Sequence, residues 1–469
     1  MKKPDPGYSM PSISDAQSLI LSYENKGVDF KFRGRNFRFA LSQGLFSSAD
    51  IDRGSRLLLK ALSRLWDGDL RQGIALPGTI LDAGCGTGVL GICAAGALAD
   101  QGLGGLRVRA QDRDELARAF TEYNARCNGI SPAVLEAHTE ALLAGPPESR
   151  WDLILSNIPA KAGLPVLRDF IPRSAALLRP GGRVLVVVVN PLAGMFRQRL
   201  PEMGLPLLYH EEGTEHQLFM YGPGPAPEQS GERRNLAHDS EGSPPIVPER
   251  AEAPGAFLRE NPAYLRNSGD YTLERISYHI DAFHGLGDFD TPGGAVRTAV
   301  KLADRLGLKK RALPPGILIH EPGQGHFPVW LLKYLGPEAR QPLVLSGRNI
   351  LALEASRHNA AAPDTLIRLV PAVDPAGSRD SLRAAAGGEG GNKAYGLIAA
   401  FPEPAPRRFD AYWEALAGLL RPGGIALIAL PSSEAERFDR KKQKPFIRLG
   451  DLKRNGFRAL AYHFEALSS

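Results

Sequence analysis

The sequence predicts an α/β protein built from two tandem Rossmann-like domains with mainly parallel sheets, the second a degenerate copy of the first. Three observations carry this reading. Short apolar runs alternate with helical stretches of about 10–15 residues, the rhythm of parallel strands joined by helices. In each half a Gly-rich turn follows an apolar run directly. The series then repeats in the same order on both sides of a stretch rich in Pro, Gly and Ser.

Length and composition agree. The chain has 469 residues, enough for two large domains. With 43% hydrophobic and 23% charged residues it has the makeup of a folded protein, which excludes wholesale disorder. Its 51 glycines and 38 prolines exceed the usual share of about 12%, so turn-rich loops and a linker are expected. The net charge of +6 permits a polyanionic partner without requiring one. Cys85, Cys93 and Cys127 are too few for a disulfide framework and form no C-x-x-C pair, so a reducing compartment is expected. Met1 to Pro6 carries two lysines with no apolar run behind them, unlike a signal peptide. The most apolar run, Val184 to Val189, is too short to span a bilayer and suits a buried parallel strand. A cytoplasmic protein without membrane association is the expectation.

Boundaries follow from composition. Residues 1–222 form the first domain, 223–256 a solvated linker, and 257–469 the second domain. In the first domain Phe30, Phe32, Phe37 and Phe39 alternate with Lys31, Arg33, Arg35 and Arg38. That pattern fits a hairpin with an aromatic core face, a nucleic-acid contact being the second reading. Leu57, Leu58, Leu59 and Leu62 mark the core face of a helix. Leu81-Asp82-Ala83-Gly84-Cys85-Gly86-Thr87-Gly88 ends an apolar strand and opens a helix. Glycines there let the backbone approach a ligand, and the helix start presents unpaired N–H groups. The next strand, from Leu106, ends at Asp112, placed to accept hydrogen bonds from ribose hydroxyls or to cap the following helix. A further strand, from Asp152, runs into Asn157-Ile158-Pro159.

The second half repeats these features. Gly84 and Gly86 align with Gly323 and Gly325, Asn124 with Asn359, and Arg179 to Gly182 with Arg421 to Gly424. Gly54-Ser55 aligns with Gly293-Gly294. In this alignment Gly88 becomes Phe327, Asp112 becomes Gly347, Asn157 becomes Phe401 and Asp82 becomes Glu321. Gly and Phe cannot replace a ribose acceptor or an amide, so the second copy is expected to have lost its ligand. His320, Glu321 and His326 do not share one helical face, because Pro322, Gly323 and Gly325 intervene; no metal is expected.

These motifs resemble the class I S-adenosylmethionine (SAM)-dependent methyltransferases, and among them the methyltransferase small-domain group with its tandem-domain rRNA guanine-N2 methyltransferases. The resemblance is carried by Gly44-Leu45-Phe46-Ser47, Asp52-Arg53-Gly54-Ser55, Leu81 to Gly88, Asp112, and Ser156-Asn157-Ile158-Pro159-Ala160-Lys161-Ala162-Gly163. It implies a SAM site formed by Phe46, Asp82, Gly84, Cys85, Gly86, Gly88 and Asp112, with Thr139 at the adenine edge and Asn157 alongside. It also implies catalysis through Asn157, Ile158 and Pro159. The Asn157 oxygen and the Ile158 carbonyl would accept the hydrogens of an exocyclic amine, and Pro159 would stiffen the turn. The family's stacking aromatic after the prolines is Ala160 here. An rRNA guanine amine is the acceptor this resemblance implies, with RNA as partner. A protein side-chain amide, a small-molecule amine, and a non-catalytic binding module are the alternatives. Nine cations between Arg437 and Arg458, opposed within the segment by Asp439 and Asp451, form either a phosphate footprint or a solvated face.

Overall fold

The computed structural model describes residues 15–45, 49–143, 150–158, 162–224, 255–288, 291–336, 342–362, 365–387, 393–403 and 405–465. The expected linker, apart from its end residues, lies outside the described residues. In the first half α1 (Asp15–Tyr23) leads into a hairpin of β1 (Glu24–Phe32) and β2 (Arg35–Ser42). There follow α2 (Arg53–Arg71), β3 (Thr79–Ala83), α3 (Val89–Ala99), β4 (Arg107–Asp112), α4 (Glu115–Cys127) and β5 (Leu135–Thr139). The half closes with β6 (Trp151–Asn157), α5 (Leu164–Ala176), β7 (Leu178–Val189), α6 (Asn190–Glu202), β8 (Leu207–Glu212) and β9 (His216–Tyr221). The sheet order is β5-β4-β3-β6-β7-β9-β8. Its first five strands are parallel, and β9 runs antiparallel between β7 and β8.

The second half repeats this order, with one helix, Arg379–Ala385, that has no counterpart among the described residues of the first. It comprises α7 (Ala256–Glu260), β10 (Leu265–Leu273), β11 (Ile276–Phe283), α8 (Gly294–Arg305), β12 (Ile317–His320), α9 (His326–Leu335), β13 (Leu343–Gly347), α10 (Ile350–Ala360) and β14 (Ile367–Pro371). Then come α11 (Arg379–Ala385), β15 (Tyr395–Ala400), α12 (Phe409–Leu419), β16 (Leu420–Pro431), α13 (Ser432–Arg440), β17 (Phe446–Arg454) and β18 (Phe457–Phe464). Their sheet order, β14-β13-β12-β15-β16-β18-β17, is that of the first half. The tandem Rossmann-like architecture read from the sequence is therefore the architecture of the molecule.

Local chemistry explains the elements. Val184 to Val188 are fully buried, as β-branched residues in a central strand covered on both faces should be. Helix α2 starts at Asp52, whose carboxylate accepts from the Ser55 N–H, and it buries Leu58, Leu59, Leu62 and Trp66. Helix α3 is buried along its whole length between sheet and hairpin. A Cβ at Gly96 would lie 2.8 Å from the Phe37 ring, so only glycine lets the hairpin approach this closely. The hairpin's basic residues serve the fold. Arg33 bonds Ser63 and Asp67, and Arg35 bonds Asp100 and the Asn128 carbonyl.

The structure corrects the register of the repeat. The Gly84 N–H meets the Gln111 carbonyl at 2.8 Å and the Glu321 N–H meets that of Ser346 at 2.7 Å. Both helix N-caps are left-handed glycines, Gly88 and Gly325. Asn124 bonds the carbonyls of Ala40 and Thr87, and Asn359 those of Asp281 and Gln324. Gly86 and Gly88 therefore match Gly323 and Gly325. Gly84 corresponds to Glu321, and Asp82 to Ile319 rather than to Glu321. Likewise the caps pair Asp52 with Gly293, two residues off the alignment drawn from the sequence. Short G-x-G strings slide against each other by two at no cost in matches; the backbone hydrogen bonds do not slide. The pairings of Asp112 with Gly347 and of Asn157 with Phe401 stand in the strand registers.

Glu321 also shows how the second copy closed. It holds a left-handed backbone, its carboxylate accepts from the Arg348 N–H at 2.7 Å, and burial pushes its pKa up to about 7. The ion pair of Arg408 with Asp374, both buried, shares with it the wall of a small cavity.

The two halves meet around an approximate two-fold axis. Asp114 and Asn349 form an antiparallel bridge. The Glu115 N–H bonds the Arg348 carbonyl at 2.8 Å, and the Ile350 N–H bonds that of Arg113 at 2.9 Å. Arg348 reaches across to the Gly44 carbonyl at 2.9 Å, and Arg113 reaches across to that of Gly285 at 3.0 Å. Arg348 alone adds a charge partner, with its guanidinium on both oxygens of Asp114 at 2.6 and 3.1 Å.

The basic segment near the C-terminal end is less free than its sequence suggests. Arg437 pairs with Glu434, Lys441 with Asp410, Arg458 with Asp451 and Glu436, and Arg448 with Asp439. The fold brings in three acids that a local count leaves out. Strand β17 is also the sheet edge remote from the joint, about 24 Å from β13 at the usual strand spacing.

Arg348 is 8% exposed and carries the joint's ion pair. Arg348→Ala removes the guanidinium from Asp114, Glu403 and the Gly44 carbonyl, while Asp114 keeps the Leu116 N–H, and should cost about 1.5–3 kcal/mol, the range for hydrogen bonds to a charged group. Urea unfolding measures this, and a loss below about 1 kcal/mol would place the strength of the joint in its apolar contacts instead.

Candidate active site

The sheet order reverses between β4-β3 and β6-β7, and the crevice at such a switch point lies outside the C-terminal strand ends. Here it is a cleft whose walls include Gly84, Cys85, Gly86, Asp112 and Asn157. Each arrives on a strand end: the glycine loop after β3, Asp112 at the end of β4, and Asn157 at the end of β6.

The loop is shaped by its glycines. Gly84, Gly86 and Gly88 all take positive φ, and a Cβ on Gly88 would lie 2.8 Å from Ile92 and 2.9 Å from Thr121. Asp112 accepts from the Gly86 N–H and the Asp114 N–H, both at 3.0 Å. Burial, with Asp114 nearby, raises its pKa above the ordinary carboxylate value. Asp82 lies wholly buried beneath the loop. One oxygen accepts from the Gly91 N–H at 2.8 Å, and the other has no hydrogen-bond partner. Burial raises the pKa of Asp82 to about 7. The Cys85 thiol is pushed well up by burial and by the two carboxylates, which makes it a wall and not a nucleophile.

Asn157 is held by residues from α2. Its Nδ2 donates to Asp52 Oδ1 at 2.9 Å and to Ser55 Oγ at 3.1 Å. A carboxylate only accepts, so the amide NH2 must face Asp52, and the Asn157 carbonyl oxygen is left as the acceptor. A Cβ at Gly54 would come within 3.1 Å of that oxygen; glycine keeps the approach open. Asp52 also binds the Ser55 N–H and hydroxyl, so one carboxylate both caps a helix and orients an amide. The sequence singled out Asp52-Arg53-Gly54-Ser55 without assigning this role. The signal was present in the N-cap spacing, but its target lies 105 positions away.

Other expected site residues fall out differently. The Thr139 hydroxyl bonds Glu115, and Thr139 does not line the cleft; Leu142, three residues on, does. Ile158 is buried, with its N–H on the Val187 carbonyl at 3.3 Å. Phe46, Pro159 and Ala160 lie outside the described residues. Arg113 and Tyr264 line the cleft without having been anticipated, Tyr264 from the other half of the chain. His320 and His326 turn to separate partners, Ser346 for one, Tyr278 and the Asp288 carbonyl for the other. Among the described residues no cluster has the makeup of a metal site, and no helix is long and apolar enough to cross a membrane.

The donor set fits SAM. A buried carboxylate at a strand end suits vicinal ribose hydroxyls, the glycine loop leaves room for a close backbone approach, and Leu90 and Leu142 give the cleft an apolar floor.

Comparison with known proteins points the same way. The methyltransferase small domain matches residues 36–200. The ribosomal protein L11 methyltransferase of Thermus thermophilus is 30% identical over 192 residues, 41% of this chain and 67% of that protein. The ribosomal RNA small subunit methyltransferase C of Shewanella halifaxensis is 30% identical over 148 residues, 31% of this chain and 38% of the relative. A solved Thermus thermophilus 16S rRNA N2 methyltransferase (RsmC), in complex with AdoMet and guanosine, superposes with a TM-score of 0.54 at 14% identity. It covers 94% of this chain and 98% of its own, a likeness of fold across both domains.

Asp82 gives this site a pH signature. Between the unfolded value of 3.8 and about 7, the native state keeps a proton that the unfolded chain has released. Stability contributed by that proton falls as pH rises through this window. Asp82→Asn should flatten the decline between pH 4 and 7. Denaturant midpoints measured across that range test it, and an unchanged slope would mean that Asp82 is already ionised in the native protein.

Proposed function

The chain belongs to the methyltransferase small-domain family of SAM-dependent methyltransferases, and on that premise we propose that its acceptor is an exocyclic guanine amine of rRNA. The observation that carries this is Asn157. Its NH2 is committed to Asp52 and Ser55, which leaves the oxygen of this cleft-lining residue as the acceptor for an amine N–H in this reading. An exocyclic amine conjugated to a base has a poorly available lone pair. Accepting its hydrogens aims that pair, and positioning of this kind is most of what an in-line displacement needs. SAM supplies the methyl group on a sulfonium. Asp112 takes the ribose hydroxyls in this reading, and the Gly84–Gly88 loop receives the rest of the cofactor. The rRNA acceptor draws support from the relative named as a ribosomal RNA small subunit methyltransferase.

A second reading has its own support. The relative named as a ribosomal protein L11 methyltransferase is matched over two-thirds of its length, and Ala160 offers no ring to stack on a base. A protein amine or amide is then the acceptor. Of the nine cations between Arg437 and Arg458, five (Arg440, Lys442, Lys444, Lys453 and Arg454) are exposed and have no acid partner among the described residues, which leaves a phosphate footprint smaller than the local count suggests.

Transfer of labelled methyl from SAM to total RNA and to total protein, both from a strain lacking this gene, separates the two readings. Label in rRNA is expected; label confined to protein would overturn the rRNA assignment. Asp112→Ala should weaken SAM binding by about 1.5–3 kcal/mol, the range for hydrogen bonds to a charged group, as read by calorimetry. Asn157→Ala should lower the single-turnover rate while SAM affinity stays nearly intact. Asp52→Ala should follow it in the same direction, because the amide is then free to turn over. A rate lost only through SAM affinity would remove Asn157 from the acceptor side.

A further inference from the structure

We propose that the second domain supplies part of the cofactor site: Tyr264, beside Arg113, forms the wall that the purine ring of SAM lies against. The inference rests on the reading of this cleft as the SAM site and extends it to a residue outside the matched domain. Tyr264 lines the cleft with Asp112, Arg113 and Leu142. Asp112 is the ribose acceptor in that reading, so these neighbours stand where the adjoining base would be. Aromatic faces and guanidinium planes are the groups that hold a planar base without reading its edges.

The near-symmetry of the molecule argues that the placement is specific. Tyr23 occupies the equivalent position: it leads β1 as Tyr264 leads β10, and it lines the second domain's own cleft with Glu321 and Arg348. Each half thus hands a tyrosine to the other. The second cleft is the smaller of the two, with Glu321 and the Arg408–Asp374 pair among its walls.

The two arginines differ in the same sense. Arg348 is bound by the Asp114 carboxylate. By the symmetry of the joint the counterpart of Asp114 is Asn349, and among the described residues the Arg113 guanidinium is seen to bond the Gly285 carbonyl. Gly285 has φ +80°, and a Cβ there would lie 2.6 Å from Arg113 Nη1, so the second domain fixes this arginine from behind. Among the described residues Arg113 has no acid within ion-pair distance and it borders the first cleft, while its counterpart Arg348 is ion-paired.

Calorimetry of SAM binding to the full chain tests this with paired variants. Tyr264→Ala should weaken binding at least tenfold. Tyr264→Phe, which keeps the ring, should stay within threefold of the parent, and Tyr23→Ala within twofold. Unfolding midpoints are recorded alongside, because a purely structural role would lower both alanine variants together and leave affinity unaltered. If Tyr264→Ala does not fold, Tyr264→Leu keeps the bulk without the ring and is read the same way. Asp112→Ala serves as the reference. Parent-like affinity in Tyr264→Ala with weakened Asp112→Ala would overturn the inference and leave the site reading standing. Parent-like affinity in both would remove the site reading and the inference with it.

Discussion

Everything distinctive about this molecule depends on the bridge between Asp114 and Asn349. Two helix starts, one from each half, lie antiparallel and exchange backbone hydrogen bonds. A backbone N–H buried in a joint has to find an acceptor, and here each start supplies the carbonyl that the other needs. The pairing fixes rotation as well as distance, so the halves have little freedom to rock. From it follow the reach of each arginine to a glycine carbonyl across the axis and the packing of Tyr264, Phe283 and Leu351 with Ala141 and Val166 from the first half.

The same joint shows how a duplicated domain changes without losing its structural work. The second copy keeps every element of the sheet and the Asn359 bonds that tie its hairpin to its glycine loop. What it has lost is room. A glutamate stands where the first copy has Gly84, Gly347 stands in place of Asp112, and Phe401 in place of Asn157. Glu321 turns its carboxylate into the wall of its own cleft, where the Arg348 N–H meets it. The domain also borders the cleft of the first half through Tyr264.

Within the first domain, one carboxylate links fold to chemistry. Asp52 caps α2 and at the same time turns the Asn157 amide. Asp112 and Asn157, both at strand ends in the cleft, are likewise anchored through backbone N–H groups or a helix cap. The apolar core beneath, with Leu81, Ile154, Val184 and Val186 fully or nearly fully buried, keeps those strand ends from moving relative to one another.

The sequence by itself determined the duplication, the strand-helix alternation, the glycine loop and the identities of Asp112 and Asn157. These signals are local: a strand, a turn and the residue at its end lie within a few positions, and periodicity reads them. Composition located the two halves for the same reason. Tertiary structure alone decided the rest. The repeat register was ambiguous because glycine strings match at two offsets; the hydrogen bonds that the Gln111 and Ser346 carbonyls accept, with the glycine caps and the Asn124 and Asn359 bonds, choose between them. Thr139 looked suitable because it ends a strand, but Glu115 takes its hydroxyl, and Leu142 reaches the cleft. The basic stretch near the C-terminal end looked uncompensated because Glu434, Glu436 and Asp410 lie outside it in sequence and beside it in space. Tyr264 gave no signal, since its cleft belongs to the other half, more than a hundred residues before it. Spacing along a chain encodes what neighbours do to each other; contacts across a two-fold joint exist only once both halves have folded and met.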